Sequence, residues 1–268
     1  MSATLIGTSH GTDDAAGQAA VRALLDGVRA ARPGLDVREA FVDVQQPEVG
    51  DVLAEAVRDA GRVRDAGAVR DAGAAAETSA EGPVAVVEPL LLSTGYPVRH
   101  DIAQAVAAVN AAGDGVAVAA DPLGPHPLLV DILADRYAAA EAAHGPFRPD
   151  DAVVLAAAGS SVAAAATAVE EVTSALAQRL GRPVTPSYGA GAEPRVPDAV
   201  AAARAGTSGS GRVIVVSYLL APGYFLDRVL EAGADVVTDP VAGPAGADKP
   251  DPRLVQVVLD RYDAAVSA

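Results

Sequence analysis

The first histidine of the chain lies in a short polar segment whose residue types suit catalysis. Ser9-His10-Gly11-Thr12-Asp13-Asp14 directly follows a strand-like apolar run, so His10 is expected at a strand end. A neutral imidazole there can bind a divalent metal or accept a proton near neutral pH. Alternatively, Gly11 shapes a tight turn, Asp13 caps a helix and His10 only fills space. The local residues leave both interpretations open.

Other titratable residues lie inside or between the predicted elements. Glu88 stands in an otherwise apolar strand-like run, 84–92, and an unpaired buried carboxylate is costly. We therefore expect Glu88 to be paired or to lie near the site. His126 lies between two prolines, where shaping a turn is favoured over binding a metal, and His144 is expected to be solvated in a linker over residues 144–151.

Composition excludes several classes of function. The chain has no cysteine, which removes disulfides, thiolate nucleophiles and cysteine-ligated metal sites. Its formal net charge is -15 and Lys249 is its only lysine, which argues against a nucleic-acid partner. No apolar run approaches the roughly 20 residues that span a bilayer. The N-terminus enters a strand pattern without a basic leader, so we expect a cytoplasmic monomer with no membrane partner.

Strand-like and helix-like segments alternate along the first half, which is typical of a parallel sheet. Predicted strands cover residues 4–8, 36–44, 84–92 and 116–120, and predicted helices cover residues 14–32, 97–112 and 128–143. A helix near Pro47 leads into a tandem repeat over 57–73 with the unit Val-Arg-Asp-Ala-Gly. Its period near six suits no helix face, so we interpret the repeat as a partly helical, exposed expansion.

The second half repeats the plan of the first. The matching segments occur in order: 4–10 with 152–158, 85–95 with 213–223, 121–122 with 239–240, and 133–137 with 259–262. We therefore predict an α/β fold of two tandem lobes, residues 1–145 and 150–268, each a mainly parallel sheet flanked by helices. They should face each other across a cleft at the carboxyl ends of the strands. Ala158 stands at the position of the second half that matches His10. The second site is therefore expected to be degenerate, and the cleft should be lined mainly by the first half.

Four motifs of the first half carry a family resemblance. They are His10-Gly11, Phe41-Val42-Asp43, Pro89-Leu90-Leu91-Leu92 with Gly95, and Pro122-Leu123-Gly124-Pro125-His126-Pro127. In order and spacing they resemble the class II chelatases that insert a metal into sirohydrochlorin, the family of CbiX and SirB, and they cover most of residues 4–137. The resemblance implies two chelatase-like lobes and a ferrochelatase or cobaltochelatase for sirohaem or cobalamin synthesis. The divalent metal, Fe²⁺, Co²⁺ or also Ni²⁺, would be a substrate without a permanently bound cofactor.

The resemblance also assigns site residues. His10 matches the first histidine of the family, as metal ligand and base, and Asp43 falls where the family has glutamate. Sirohydrochlorin carries many carboxylates, which need positive charge or free backbone N–H groups to hold them. We expect Gly11, Thr12, Gly95 and Arg99 to bind this tetrapyrrole.

One position departs from the family pattern. Pro97 stands where the second histidine belongs, and proline offers neither a metal ligand nor a base. His100 lies three residues on, with Cβ atoms roughly 5–6 Å apart on one helix face. His100 could replace the missing histidine as catalytic and metal-binding residue, activity could be lost or changed, or His100 could have an unrelated role. The direction of the His100 side chain is the first criterion.

Two other functions compete with an active chelatase. A non-catalytic relative that binds a tetrapyrrole or a metal would keep the two lobes after losing the second histidine. A periplasmic-type solute-binding protein also has two lobes, but it needs a signal peptide, which the N-terminal pattern does not provide.

Overall fold

Each half of the protein contains a four-stranded parallel sheet, as its computed structural model shows. The structure describes residues 2–70, 82–93, 95–113, 115–207, 211–247 and 249–268. The strands of the first half are β1 (Thr4–Ser9), β2 (Val37–Phe41), β3 (Ala85–Pro89) and β4 (Ala117–Ala119), in the order β2-β1-β3-β4. Those of the second half are β5 (Ala152–Ala157), β6 (Thr185–Tyr188), β7 (Val213–Tyr218) and β8 (Val236–Val237), in the order β6-β5-β7-β8.

Helices cover both faces of each sheet, which confirms the predicted α/β fold of two similar lobes. The helices are α1 (Ala15–Ala31), α2 (Val49–Arg70), α3 (Tyr96–Ala112), α4 (Pro127–His144), α5 (Ala163–Leu180), α6 (Val196–Gly206), α7 (Tyr224–Leu230) and α8 (Pro252–Ser267). None of the helices in the described ranges has the length and apolar character needed to cross a membrane.

The last helix of each half packs on the other half. Helix α8 contacts α1, β3 and β4 of the first lobe, whereas α4 contacts α5, β7 and β8 of the second. The Tyr262 hydroxyl on α8 donates to the Ala3 carbonyl over 2.7 Å, and Arg182 donates to the Tyr137 hydroxyl on α4 over 2.7 Å. The strands of each half therefore form one sheet, whereas the final helices α4 and α8 are exchanged between the halves, and the lobe bounds 1–145 and 150–268 stay a prediction.

This exchange gives the two lobes a shared apolar core. One hydrophobic cluster includes Leu24 of α1, Leu129 of α4, Leu155 of β5 and Val257 of α8, all fully buried. Separate clusters fill the outer face of each sheet. Because the shared cluster would be exposed if the lobes moved apart, burial of apolar surface holds their relative position.

The turn after β1 differs in one detail from its prediction. Asp14, not Asp13, is the N-cap of α1, and its Oδ1 accepts a hydrogen bond from the Gly17 amide over 2.7 Å. Asp14 has the extended backbone that an N-cap requires, which places the cap one residue later than expected.

The tandem repeat is more regular than its period suggests. Helix α2 continues through it to Arg70, and Val57 in the first repeat unit is buried with Leu53 in the core. The expectation of an exposed segment is therefore wrong for this unit, because Val57 continues the apolar i, i+4 spacing of the preceding turns. Val63, in the second unit, is exposed. The end of the predicted expansion, residues 71–73, lies outside the described residues.

Candidate functional site

A cavity of about 560 Å³ lies between the lobes, at the carboxyl ends of β1, β3, β5 and β7. The first half lines it with residues 10–12, 90–93, 95 and 98, and the second half lines it with residues 157–159 and 218–225. The expectation of a cleft lined mainly by the first half is thus wrong. Equivalent loops of both sheets reach the same space, as the internal repeat requires.

His10 and Asp43 are brought together by the pairing of β1 with β2. Beyond the last paired residues, the Val42 amide donates to the Ser9 carbonyl over 3.1 Å and the Asp43 amide donates to the His10 carbonyl over 3.2 Å. The His10 side chain is exposed and lines the cavity. Asp43 adjoins it, although its side chain is not part of the cavity wall.

Gly11 allows this close approach. Its φ of +94° lies in the left-handed region, and a Cβ there would lie 2.5 Å from the Asp43 carbonyl oxygen. The Asp43 carboxylate accepts a hydrogen bond from the Val44 amide over 2.8 Å, and Val44 itself has a φ of 55°. The Thr12 amide donates to Gln45 Oε1 over 2.9 Å, so this predicted carboxylate-binding amide has a partner within the protein.

Of the predicted residues near the start of α3, one lines the cavity and two do not. Gly95 and Val98 line it at the start of α3, whereas Arg99 and His100 are exposed and lie outside the wall. His100 is two residues from Val98, about 200° around the helix, and its Nε2 lies 2.9 Å from Nε2 of Gln104. The structure therefore brings His10, Gly11, Thr12 and Gly95 together without Arg99 or His100.

A replacement for the second histidine would have to point into the cavity with His10, and the His100 side chain does not line it. The role of His100 in metal binding stays a prediction. In the described part of the chain, no group of three or more histidine, aspartate and glutamate side chains is arranged to hold a metal ion.

The second lobe keeps the backbone of this site but not its side chains. The Gly189 amide donates to the Ala157 carbonyl and the Ala190 amide donates to the Ala158 carbonyl, both over 2.8 Å. Gly159 follows with a φ of +82°. Ala158 and Ala190 therefore occupy the places of His10 and Asp43. The sequence identified Ala158, but it missed Ala190 because the loops after β2 and β6 share little sequence.

A tyrosine from the second lobe fixes the floor of the cavity. The buried Tyr218 hydroxyl donates to the Leu92 carbonyl over 2.9 Å, and a Cβ at Gly124 would overlap the tyrosine oxygen. Burial raises the pKa of Tyr218, so its hydroxyl stays protonated and able to donate. With Leu90, Leu92 and Leu219 it makes this floor apolar.

Glu88 lies on β3, fully buried, and neither of its carboxylate oxygens has a hydrogen-bond partner among the described residues. Burial raises the pKa of Glu88 well above its usual value; the Arg261 charge opposes this, and Asp121 adds to it. Glu88 does not line the cavity, so neither the expected pairing by hydrogen bonds nor the expected place beside the site is observed.

His126 shapes a helix start, as predicted. Its Nδ1 accepts a hydrogen bond from the Leu128 amide over 3.2 Å, which caps α4, and its Nε2 lies 3.3 Å from Oδ2 of Asp260 on α8. Burial and the Arg261 charge lower the pKa of His126, and Asp260 opposes them.

Comparison with known proteins agrees with this architecture. SirB from Bacillus subtilis with Fe³⁺ has a TM-score of 0.74 and 17% sequence identity, with 100% of this chain and 96% of that chain covered. SirB from Bacillus subtilis subspecies spizizenii in complex with cobalt has a TM-score of 0.70 and 15% identity, with the same coverage. At such identities the likeness establishes the fold.

A CbiX described as the terminal enzyme for siroheme biosynthesis in denitrifying bacteria has a TM-score of 0.58 and 17% identity, with 98% of this chain and 99% of that chain covered. No curated protein sequence matches the chain significantly. The family model CbiX matches residues 4–64, 69–140 and 152–265, most of both halves. The chain belongs to the CbiX family of chelatases.

Proposed function

We propose that this protein is a sirohydrochlorin chelatase that inserts a divalent metal ion into the tetrapyrrole within the cavity between its lobes. The observation that supports this most is the adjacency of Asp43 to His10, which lines an apolar cavity. Both walls come from one chain, so a monomer suffices for the reaction.

His10 supplies the metal-binding and proton-accepting group. Insertion replaces two pyrrole N–H protons by one dication, so both protons must leave as the metal enters. An exposed imidazole at the cavity wall can ligate the incoming metal through one ring nitrogen, or accept one of these protons. The His10 backbone is held in place after β1 because its carbonyl accepts a hydrogen bond from the Asp43 amide.

Asp43 supplies negative charge beside His10. A carboxylate there stabilises a metal dication during its transfer and can accept the second proton. In the present structure the carboxylate is turned to the Val44 amide, so contact with substrate requires rotation of this exposed side chain. Asp43 is shorter by one methylene than the glutamate the family has here, which places its carboxylate closer to the backbone.

The apolar part of the cavity holds the macrocycle. Leucines of both lobes and the protonated Tyr218 exclude water from the ring face, which favours a large, flat, partly apolar ligand. Gly11 and Gly95 at the same wall permit close approach of their backbone N–H groups to substrate carboxylates. Thr12 would contribute after release of Gln45, and Arg99 would act from the outer side of α3.

The metal is Fe²⁺ or Co²⁺ in this proposal, for sirohaem or a cobalamin-type product. The similar SirB structures contain Fe³⁺ and cobalt, respectively. Nitrogen and carboxylate donors suit both dications. His10 and Asp43 therefore do not discriminate between Fe²⁺ and Co²⁺.

One observation favours a non-catalytic relative as the second candidate. Position 97 is proline, and His10 is the only histidine among the described residues of the cavity wall. A protein with one imidazole there could bind sirohydrochlorin or a metal without accelerating insertion.

Anaerobic incubation with sirohydrochlorin and Fe²⁺, Co²⁺ or Ni²⁺ in turn tests the proposal. The visible absorption spectrum of the tetrapyrrole reports metal insertion, and the same mixture without protein gives the uncatalysed rate. We expect faster insertion of iron or cobalt with the protein. A spectral change on binding without faster insertion of any metal would favour the non-catalytic relative.

A further inference from the structure

A second cavity of about 390 Å³ adjoins the first on the side of the second lobe. Tyr224 lines both cavities, so the two cavities lie next to each other at this residue. The charged residues that line the second cavity are two arginines, Arg195 and Arg228, and one glutamate, Glu231. In a chain of net charge -15, this lining carries a local excess of one positive charge, two guanidinium groups against the Glu231 carboxylate.

Arg195 stands where the first lobe has an acidic residue. Phe41 at the end of β2 forms an isolated bridge with Glu48, and Tyr188 at the end of β6 forms the same bridge with Arg195. The charge at this position of the rim therefore changes from negative to positive between the lobes.

Arg228 occupies the place of His100. Helices α3 and α7 each begin at a tyrosine after a glycine N-cap, and His100 and Arg228 are both the fifth residue of their helix. At the preceding position, Arg99 of α3 corresponds to Asp227 of α7. Neither of these residues lines the cavity of its lobe. The second lobe thus contributes two arginines to the lining of its cavity, opposed by the single acidic residue Glu231.

We propose that Arg195 and Arg228 form a subsite that binds peripheral carboxylates of the tetrapyrrole, an inference that rests on the function proposed above. A guanidinium group donates two parallel hydrogen bonds to a carboxylate, and it is less strongly hydrated than an ammonium group. The apolar wall holds the ring, His10 meets its centre from the first lobe, and the arginines hold its acidic edge from the second.

Neutral contacts already orient both arginines. Arg195 Nη1 donates to the Gly189 carbonyl over 2.9 Å, and the Arg228 guanidinium carbon lies 5.8 Å from the centre of the Tyr224 ring. Their acidic partners Glu193 and Glu231, at 3.3 and 3.0 Å, are exposed. Exposed ion pairs contribute little to stability, so a substrate carboxylate can displace these side chains.

Binding of metal-free porphyrins to the Arg195→Gln/Arg228→Gln variant tests the subsite. An octacarboxylic and a tetracarboxylic porphyrin are titrated against the full chain, with the Soret band as readout and at several salt concentrations. The matched control is Arg62→Gln/Arg179→Gln, which removes the same charge from two exposed, ion-paired arginines outside the cleft. Thermal melting establishes that all three proteins are folded.

We expect the double variant to bind the octacarboxylic porphyrin about tenfold or more weakly than the parent, with a smaller salt dependence, while the control binds like the parent. The loss should be smaller for the tetracarboxylic porphyrin. Equal binding by variant and parent, or the same loss in the control, would overturn the inference.

The metal-insertion assay separates this result from the proposed function. If the parent inserts metal but the arginine variant binds porphyrin normally, the subsite is wrong and the chelatase proposal stands. If the arginines hold the porphyrin but the parent accelerates no insertion, the subsite stands and the chelatase proposal fails. In an active enzyme, the arginine variant should raise KM for sirohydrochlorin more than it lowers kcat.

Discussion

The two lobes share a backbone and differ in the chemistry at its carboxyl end. Both have a glycine with positive φ after the first strand and the same hydrogen bond from the neighbouring loop. The first lobe places His10 and Asp43 on this frame, whereas the second places Ala158 and Ala190 there. The two copies thus share this geometry although only one carries the polar pair, which shows that the turn does not depend on the imidazole or the carboxylate.

Replacement of the histidine of the first lobe should have the largest effect on the rate of metal insertion. His10→Ala should lower the rate of metal insertion about 100- to 10,000-fold, because it removes the proposed ligand and base. Ala158→His should change the rate little, since no carboxylate adjoins it. Initial rates and sirohydrochlorin binding are measured for both variants. An unchanged rate in His10→Ala would remove this residue from the mechanism.

A buried ion pair distinguishes the start of the second lobe. Asp151 precedes β5, as Ala3 precedes β1, and its carboxylate lies 2.9 Å from Arg212 Nη2. Although burial raises the pKa of Asp151, hydrogen bonds from the Arg212 and Arg148 amides and the Arg212 guanidinium outweigh burial and lower it to about 2. Asp151→Asn should therefore reduce the free energy of unfolding at pH 7 by about 2 kcal/mol.

The lowered pKa gives this contribution a definite pH dependence. It is fully present above the usual value of 3.8 and is lost as the pH falls towards about 2. Denaturant unfolding of parent and variant between pH 7 and pH 2 measures it, with the exposed Asp150→Asn as control. A difference between parent and Asp151→Asn that does not shrink in acid would contradict the assignment.

Glu88 in the first lobe has a raised pKa, in contrast to the lowered pKa of Asp151. The register places Glu88 beside Gly7 on β1 and Val216 beside Leu155 on β5, so these two residues are equivalent. Valine fills the place without a polar atom. Glu88→Val should therefore raise the free energy of unfolding at pH 7 by about 1–3 kcal/mol, because burial of this carboxylate without hydrogen bonds is costly.

The gain from Glu88→Val should depend on pH with the reverse sign. A raised pKa means that the folded parent loses stability as the pH rises above the usual value of 4.5, while the variant does not. Unfolding from pH 4 to pH 8 follows the difference, with the exposed Glu170→Gln as control. A gain that is constant over this range would show that loss of charge is not its cause.

His100 should have the smallest effect of the four positions. Its side chain lies off the cavity wall beside Gln104, so His100→Ala should leave the insertion rate close to that of the parent. Pro97→His tests the same point from the other side, since a gain in rate would show that position 97 limits the reaction. A loss in His100→Ala as severe as in His10→Ala would instead establish His100 as the replacement.

Much of this architecture follows from local sequence. Alternating apolar segments predict the strands, and Gly11 and Gly159 mark the turns after β1 and β5 because their positive φ suits glycine. The ordered repeats predict two similar lobes. His10 is predicted from its place at a strand end, and Asp43 is predicted from the family resemblance.

Other features depend on contacts between residues far apart in the chain. The sequence by itself determined the strands of the first lobe, the duplication and the place of His10 at a strand end. Only the tertiary structure decided that α4 and α8 change lobes, that His100 lies off the wall and that Arg195 and Arg228 meet at one cavity. The physical reason is that periodicity identifies an apolar helix face but not the sheet that covers it, which is decided by packing of the whole core.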